Sequence, residues 1–306
     1  MSRSAEVVVE AIVEDGRVLL IHDGEIDVPW WSFTKTVIAA AAQVLVRDGL
    51  LALDVPLDGE NYTLRQLLQH RAGLTDCGGL ATYHDAVACG ADPWPVSELL
   101  ARTDADQPIY RPGDGWAYSN IGYLMVRRLI EATTAEDLAS TMARLVLQPL
   151  GIEGVRLAER REHLSTVAMG DVQDYDPRWV YHGLLVGPLR SAALLLDRLI
   201  TGDHLPPDLL STMHQAHSVG GSLAGRPWQS PAYGLGLMIG GVNVGIDGGM
   251  TIAGHTGGGP GSVIAVYHRT DGRPRTAASF SPGDDQGGVE RRCVLSLDAP
   301  PAKEEA

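Results

Sequence analysis

An α+β sandwich is expected of this chain: one antiparallel sheet drawn from both chain ends, helices flanking it, and a mostly helical region inserted between its strands. Three observations lead there. Residues 6–13 and 18–22 are rich in β-branched residues and are separated by Glu14-Asp15-Gly16, an Asp-Gly hairpin turn. The middle of the chain carries apolar residues at helical spacing, as in Ile121, Leu124, Met125 and Leu129. The last third returns to strand-like runs divided by glycine-rich turns. Within a single domain, 1–306, the sheet portion is expected at 1–31 and about 181–306, and the helical portion at about 32–180.

After the first hairpin, Pro29 is expected to break any strand. From Thr36 to Val46 only Thr36 and Gln43 are polar, which describes a helix buried on all sides. It begins at Ser32 and is ended by Arg47-Asp48-Gly49. Residues 50–57 read as an extended loop covering apolar surface. Thr63-Leu64-Arg65-Gln66 is a capping box that opens a short helix reaching about His70. Residues 74–95 look irregular with one short helix, and Ser97 reads as the cap of residues 98–102. Tyr118-Ser119-Asn120 leads into a helix through Ile130, and a further helix spans Ala135 to Leu147. Another, from Ser191 to Ile200, ends at Gly202. Tyr233 to Ile239 reads as a strand, with 242–246 pairing to it. His255-Thr256-Gly257 starts a strand that leads into 262–267, and Asp271-Gly272 turns the chain into 276–281. Loops 74–95 and 203–232 are expected to shape a pocket, and residues 300–306 to form a frayed tail.

Composition bounds the function. Apolar residues make up 44% and charged residues 20%, as in ordinary globular chains. A net charge of −14 gives no electrostatic footprint for nucleic acid, and anionic membranes would repel the chain. Residues 1–6 lack the basic start and apolar stretch of a signal peptide, so a cytoplasmic protein is expected. Three cysteines are an odd, sparse set with no disulfide framework. Cys77, His84 and Cys89 match no standard zinc spacing, and His214 with His217 lacks the rest of a site. No metal or cofactor is therefore expected.

The chemistry centres on Ser32 and Lys35, which share one face of the first helical turn. Alone, such a pair is an N-cap serine and a solvated lysine. Here the lysine lies on an otherwise apolar helix, where it must find a partner or lose its proton. A neutral amine beside a hydroxyl is a general base beside a nucleophile. The free N–H groups and dipole of a helix start also suit an oxyanion.

Ser32-Phe33-Thr34-Lys35, Tyr118-Ser119-Asn120 and His255-Thr256-Gly257, in that order, resemble the three motifs of the serine β-lactamase and penicillin-binding-protein superfamily. The tyrosine that opens the second motif is similar to class C β-lactamases and their esterase and D-aminopeptidase relatives. Residues 48–54, 63–74, 110–113 and 233–236 resemble connecting segments of that group, so the likeness covers about residues 6 to 285. It implies a β-lactamase/transpeptidase-like fold and a small-molecule substrate. By position, Ser32 is the acylated nucleophile, and Lys35 and Tyr118 share its activation. Which of those two is the base stays open. Asn120 binds the substrate amide and orients Lys35. His255, Thr256 and Gly257 lie beside the substrate carboxylate, and the backbone N–H groups of Ser32 and Gly258 form the oxyanion hole. Taken singly, Tyr118 reads as a core tyrosine, Asn120 as a helix cap and His255 as a loop histidine.

Two departures from that family stand out. The first hairpin starts almost at Met1, so the leading helix usual in that family is expected to be absent or reduced, and the C-terminal helix looks short or missing after Asp284-Asp285-Gln286. A sheet face is then left bare, to be covered by a second copy of the chain. The other departure is His255 where lysine is usual; a mostly neutral side chain selects less strongly for carboxylates. The expected activity is serine hydrolysis of a small ester, a D-amino-acyl peptide or a β-lactam through an acyl-enzyme. The alternatives are a penicillin-binding module with little turnover and a silent scaffold.

Overall fold

Strands from the two halves of the sequence meet in one antiparallel sheet. The computed structural model of the protein describes residues 9–170, 172, 174–244 and 249–298. In chain order the elements are β1 (Val9–Glu14), β2 (Arg17–His22), β3 (Asp27–Pro29), α1 (Thr34–Arg47), α2 (Leu64–Leu68), α3 (Ala81–Ala88), α4 (Val96–Arg102), α5 (Asn120–Thr134) and α6 (Leu138–Met142). There follow β4 (Arg156–Ala158), β5 (Leu184–Pro188), α7 (Leu189–Thr201), α8 (Pro207–His214), β6 (His217–Ser218), β7 (Trp228–Tyr233), β8 (Met238–Val242), β9 (Met250–Gly259), β10 (Ser262–Arg269), β11 (Arg275–Pro282) and α9 (Gln286–Asp298). The main sheet has the order β2-β1-β11-β10-β9-β8-β7-β6, and β3, β5 and β4 form a small second sheet. The α+β architecture expected from the sequence is the one observed.

The sheet is packed on both faces, and β10 shows how. Its residues alternate: Ile264 and Val266 join the core shared with α1 and α7, while Val263, Ala265 and Tyr267 join a second core with α9. A strand buried on both sides reads as a continuous apolar run, which is the pattern of 263–267. α7 lies against β1, β10 and β11, and α9 lies against β10 and β11 from the other side.

The helix α9 corrects the sequence reading. Val289, Cys293, Val294 and Leu297 recur at helical spacing and are all buried against the sheet. The charges of Glu290, Arg291 and Arg292 interrupt that stripe in the sequence, which is why the helix reads there as short or missing. The bare face inferred for the C-terminal side is therefore covered by the chain itself. The expected loss of a leading helix, the strand start at 6–8, the pairing of residues 245 and 246, and the tail at 300–306 all lie outside the described residues.

Other boundaries differ for local reasons. Pro29 ends β3 instead of preventing it; the short strand needs no N–H from it there. Pro95, not Ser97, is the residue before α4. Ala135 takes a left-handed conformation that stops α5, so the next helix starts only at Leu138, capped by Asp137. Residues 234–237 are the turn between β7 and β8, not a strand. At that turn Gly236 has φ +71°, and a Cβ there would stand 2.5 Å from Ala39 Cβ. In 50–57, Leu53 is buried but Leu50 and Val55 are exposed. The capping box at Thr63 forms as expected, with both of its hydrogen bonds. Among the described residues no helix is long and apolar enough to cross a membrane.

Candidate active site

Helical backbone begins one residue before Ser32, in a 3-10 turn Trp31–Phe33 that runs directly into α1. Trp31 holds φ +41°, an uncommon value for a side chain of its bulk. The surroundings hold it there: its indole donates to Ser262 Oγ at 3.1 Å and meets the edge of Tyr175. The turn lies against β9, and residues 34–45 of α1 are all buried beneath it.

Three side chains reach Lys35 Nζ inside that core. Asn120 Oδ1 is 2.8 Å away, His182 Nε2 3.1 Å and Ser32 Oγ 3.3 Å. Tyr118 donates its hydroxyl to Ser32 Oγ at 2.9 Å. The nucleophile candidate thus stands between an amine and a phenol. Burial lowers the Lys35 pKa to about 7, against the opposing pull of Asp76 and Cys77. Burial pushes the Tyr118 phenol well above its ordinary value, so it stays a protonated donor.

α5 positions the second group. Ser119 caps the helix, accepting from Gly122 N at 2.9 Å while its own hydroxyl donates to Thr75 O. Asn120 is therefore the first helical residue and not the cap. Asp76 accepts from Asn120 N at 2.7 Å and from Asn120 Nδ2 at 3.4 Å, which turns Asn120 Oδ1 toward Lys35. Tyr118 packs against His70 with the rings tilted by 37°, and His70 Nδ1 accepts from Ser119 N at 3.1 Å.

His255 lies midway along β9, not at its start, because the strand begins at Met250. Its Nδ1 donates to Thr256 O at 2.6 Å, so Nε2 is the acceptor and receives Tyr233 OH at 2.8 Å. Both ring nitrogens are occupied, and burial with the nearby Lys35 brings its pKa to about 3. It is a neutral wall of the cleft with no spare donor for a carboxylate. Thr256 Oγ1 is bound to Tyr267 and to the buried carboxylate of Glu290 on α9. Glu290 also accepts from Arg226 Nε at 2.7 Å, Tyr267 OH at 2.8 Å and Trp228 Nε1 at 3.2 Å. Gly257 lies flush against the turn that carries Ser32, and Gly258 lines the cleft beside it.

Two adjoining cavities, of about 560 and 350 Å³, share Ser32, Tyr118, Gly258 and Gly259 as common walls. The larger is closed by Val219, Leu223 and Arg226 from the 203–232 segment. The smaller is lined by Asp76, Tyr83 and His84 from 74–95 and by Tyr175, Trp179 and His182. Both segments named from the sequence thus border the cleft. A substrate laid across Ser32 would place one part in each cavity.

All eight residues named from the sequence lie around this cleft. His182, His70, Asp76, Arg226 and Glu290 were not named. His182 lies in Tyr181-His182-Gly183, which matches no motif, and only tertiary packing brings it to Lys35.

A family model described as Beta-lactamase matches residues 3–281. The esterase EstB of Burkholderia gladioli is 31% identical over 141 residues, covering 40% of this chain and 36% of that protein. A D-aminopeptidase of Brucella anthropi is 27% identical over 188 residues, covering 53% of this chain and 34% of that protein. The matches thus span about a third of the length of these curated relatives. Among solved structures, a D-amino acid amidase from Ochrobactrum anthropi SV3 superposes with a TM-score of 0.78 at 21% identity, covering 96% of each chain. An octameric penicillin-binding protein homologue from Pyrococcus abyssi gives a TM-score of 0.76 at 22% identity, covering 97% of this chain and 74% of that one. These likenesses carry the fold.

Proposed function

The chain belongs to the beta-lactamase family, and from that premise we propose that it is a serine hydrolase that opens an ester or amide through an acyl-enzyme on Ser32. The observation that carries this reading is the placement of Ser32 Oγ 3.3 Å from the Lys35 amine and 2.9 Å from the Tyr118 hydroxyl. Neutral Lys35 takes the serine proton as Oγ bonds to the carbonyl carbon. The carbonyl π pair moves onto oxygen, which the backbone N–H groups of Ser32 and Gly258 would receive. Collapse of the tetrahedral species restores the carbonyl and breaks the bond to the leaving group. That group departs with the proton carried by the Lys35 ammonium. A water molecule repeats the sequence on the acyl-enzyme and frees Ser32. His70 and Asp76 hold Tyr118 and Asn120 in place for these steps.

The cleft's charges favour neutral substrates. Arg226 is spent on Glu290, His255 is uncharged, and the carboxylates Asp76 and Asp284 line the two cavities. Small esters and amides without a free carboxylate fit this balance better than carboxylate-bearing β-lactams. The related esterase and D-aminopeptidase are consistent with either ester or amide turnover. Intact-mass detection of an acyl adduct across a panel of esters, D-amino-acyl amides and β-lactams tests the reading. A Ser32-borne adduct, lost in Ser32→Ala, is the expected result; unchanged hydrolysis by Ser32→Ala would remove the assignment.

A further inference from the structure

We propose that His182 is a positioning residue: by accepting a hydrogen bond through Nε2 it turns the lone pair of neutral Lys35 toward Ser32, and so makes Lys35 the group that takes the serine proton. This rests on the serine-hydrolase reading above and concerns a residue that none of the three motifs contains.

The geometry is a count of hydrogens. A neutral amine has two hydrogens and one lone pair. Lys35 Nζ has three polar neighbours within hydrogen-bond reach: Asn120 Oδ1, His182 Nε2 and Ser32 Oγ. Asn120 Oδ1 is an acceptor, because the Nδ2 end of that amide is directed to Asp76. If His182 Nε2 also accepts, both amine hydrogens are used and the lone pair is left for the Ser32 hydroxyl. If instead Nε2 carries a hydrogen, it donates into the lone pair, and the amine can no longer act as base toward Ser32. The imidazole tautomer thus decides what Lys35 can do.

The surroundings favour the first arrangement. A lone pair facing the hydrogens of Lys35 serves both its protonated and its neutral form, whereas an N–H facing an ammonium is repelled. His182 is buried and, like His70 and His255, held uncharged by burial beside Lys35. Among the described residues its Nδ1 has no hydrogen-bond partner, so neither tautomer gains a bond on that side of the ring and the contact with Lys35 at Nε2 distinguishes them. Other groups near Lys35 are Asp76, Cys77, His70, His255 and the rings of Tyr118 and Tyr123, of which Tyr118 is hydrogen-bonded to Ser32.

The test reads the tautomer and the rate separately. On the wild-type protein labelled with 15N-histidine, the His182 signals, assigned by their loss in His182→Gln, should show a protonated Nδ1 and a bare Nε2 between pH 6 and 9. A protonated Nε2 overturns the proposal, whatever the activity. In parallel, acylation by an activated ester is followed in His182→Ala and His182→Gln. Glutamine keeps an acceptor near the Nε2 position. The expected result is a fall of about 10- to 100-fold in the acylation rate of His182→Ala, with substrate affinity little changed, and recovery to within several-fold in His182→Gln. An alanine variant that folds and acylates at the wild-type rate also overturns the proposal. Absence of any Ser32 adduct in the wild-type protein would instead strike the serine-hydrolase reading, and the tautomer measurement does not depend on it.

Discussion

Gly257 has no room for a side chain, because Ser32 occupies it: a Cβ at 257 would stand 2.7 Å from the Ser32 amide nitrogen and 2.8 Å from Trp30 O. Strand β9, inside the sheet, and the nucleophile turn are thus in close backbone contact. Gly257→Ala should push the two apart. We expect at least a 100-fold loss of ester hydrolysis with about 1–3 kcal/mol lost in stability, measured by kinetics and denaturant unfolding. Near-normal turnover would show that the contact does not set the geometry of Ser32.

Lys35 ties rate to pH and activity to stability. Acylation should rise as pH increases through about 7, where Lys35 becomes neutral, with Asp76 and Cys77 opposing and burial favouring that loss of charge. A kcat/KM profile flat between pH 5.5 and 8.5 would refute Lys35 as the base. The stability sign follows from the same shift. The lysine titrates near 10.5 when unfolded and near 7 when folded, so between these values the unfolded chain binds the extra proton. The penalty for holding Lys35 is therefore full below about pH 7, about 5 kcal/mol, and fades as pH rises toward 10.5. Lys35→Met should be inactive yet more stable at pH 7, by a net of about 1–3 kcal/mol after Asn120 and His182 lose their donor.

His255→Lys probes selection in the cleft. Histidine there is neutral and bonded at both nitrogens. A lysine would bring a charge into the larger cavity, which His255 lines. The ratio of kcat/KM for a carboxylate-bearing ester to that for its neutral counterpart should rise about tenfold or more. An unchanged ratio would mean that residue 255 does not face the substrate.

Glu290 links α9 to the third motif. Removing its carboxylate leaves the partly buried Arg226 without its ion pair and takes one of two partners from the Thr256 hydroxyl, which keeps Tyr267. Glu290→Ala should cost about 3–5 kcal/mol of stability. The paired change Glu290→Leu with Arg226→Met should recover part of that loss in thermal unfolding, since it strands no charge.

The nucleophile turn could be read from residues alone, because Lys35 on an apolar helix is an anomaly that demands chemistry. The hairpin at Asp15-Gly16 and the capping box at Thr63 were legible for a similar reason: each is a local pattern whose hydrogen bonds close within a few residues. What lay beyond local pattern was lost. His182 is 147 positions from Lys35 and carries no spacing signal. Glu290 looks like a surface charge until Arg226, 64 positions earlier, folds onto it. The strand expected at 233–239 is interrupted by a turn at 234–237 because Gly236 must take positive φ beside Ala39, a contact that depends on where α1 passes. The role expected of His255 beside a carboxylate rested on resemblance, and its hydrogen bonds to Tyr233 and Thr256 leave it no donor to offer.

The pairing of β1 with β11, Val9 opposite Phe280, has a consequence for synthesis on the ribosome. The hairpin β1–β2 is made well ahead of β11, so its inner edge has no neighbour until residues 275–282 have been made. At roughly 5–20 residues per second that delay is on the order of tens of seconds. During it, β1 presents an unsatisfied strand edge, the kind of surface that recruits other chains. Helices α1 to α6 can collapse in the meantime, yet β9, which closes over Ser32, arrives almost as late. The nascent chain therefore carries its nucleophile long before it carries an active site, and a chain released before β11 would hold neither a finished sheet nor a working centre.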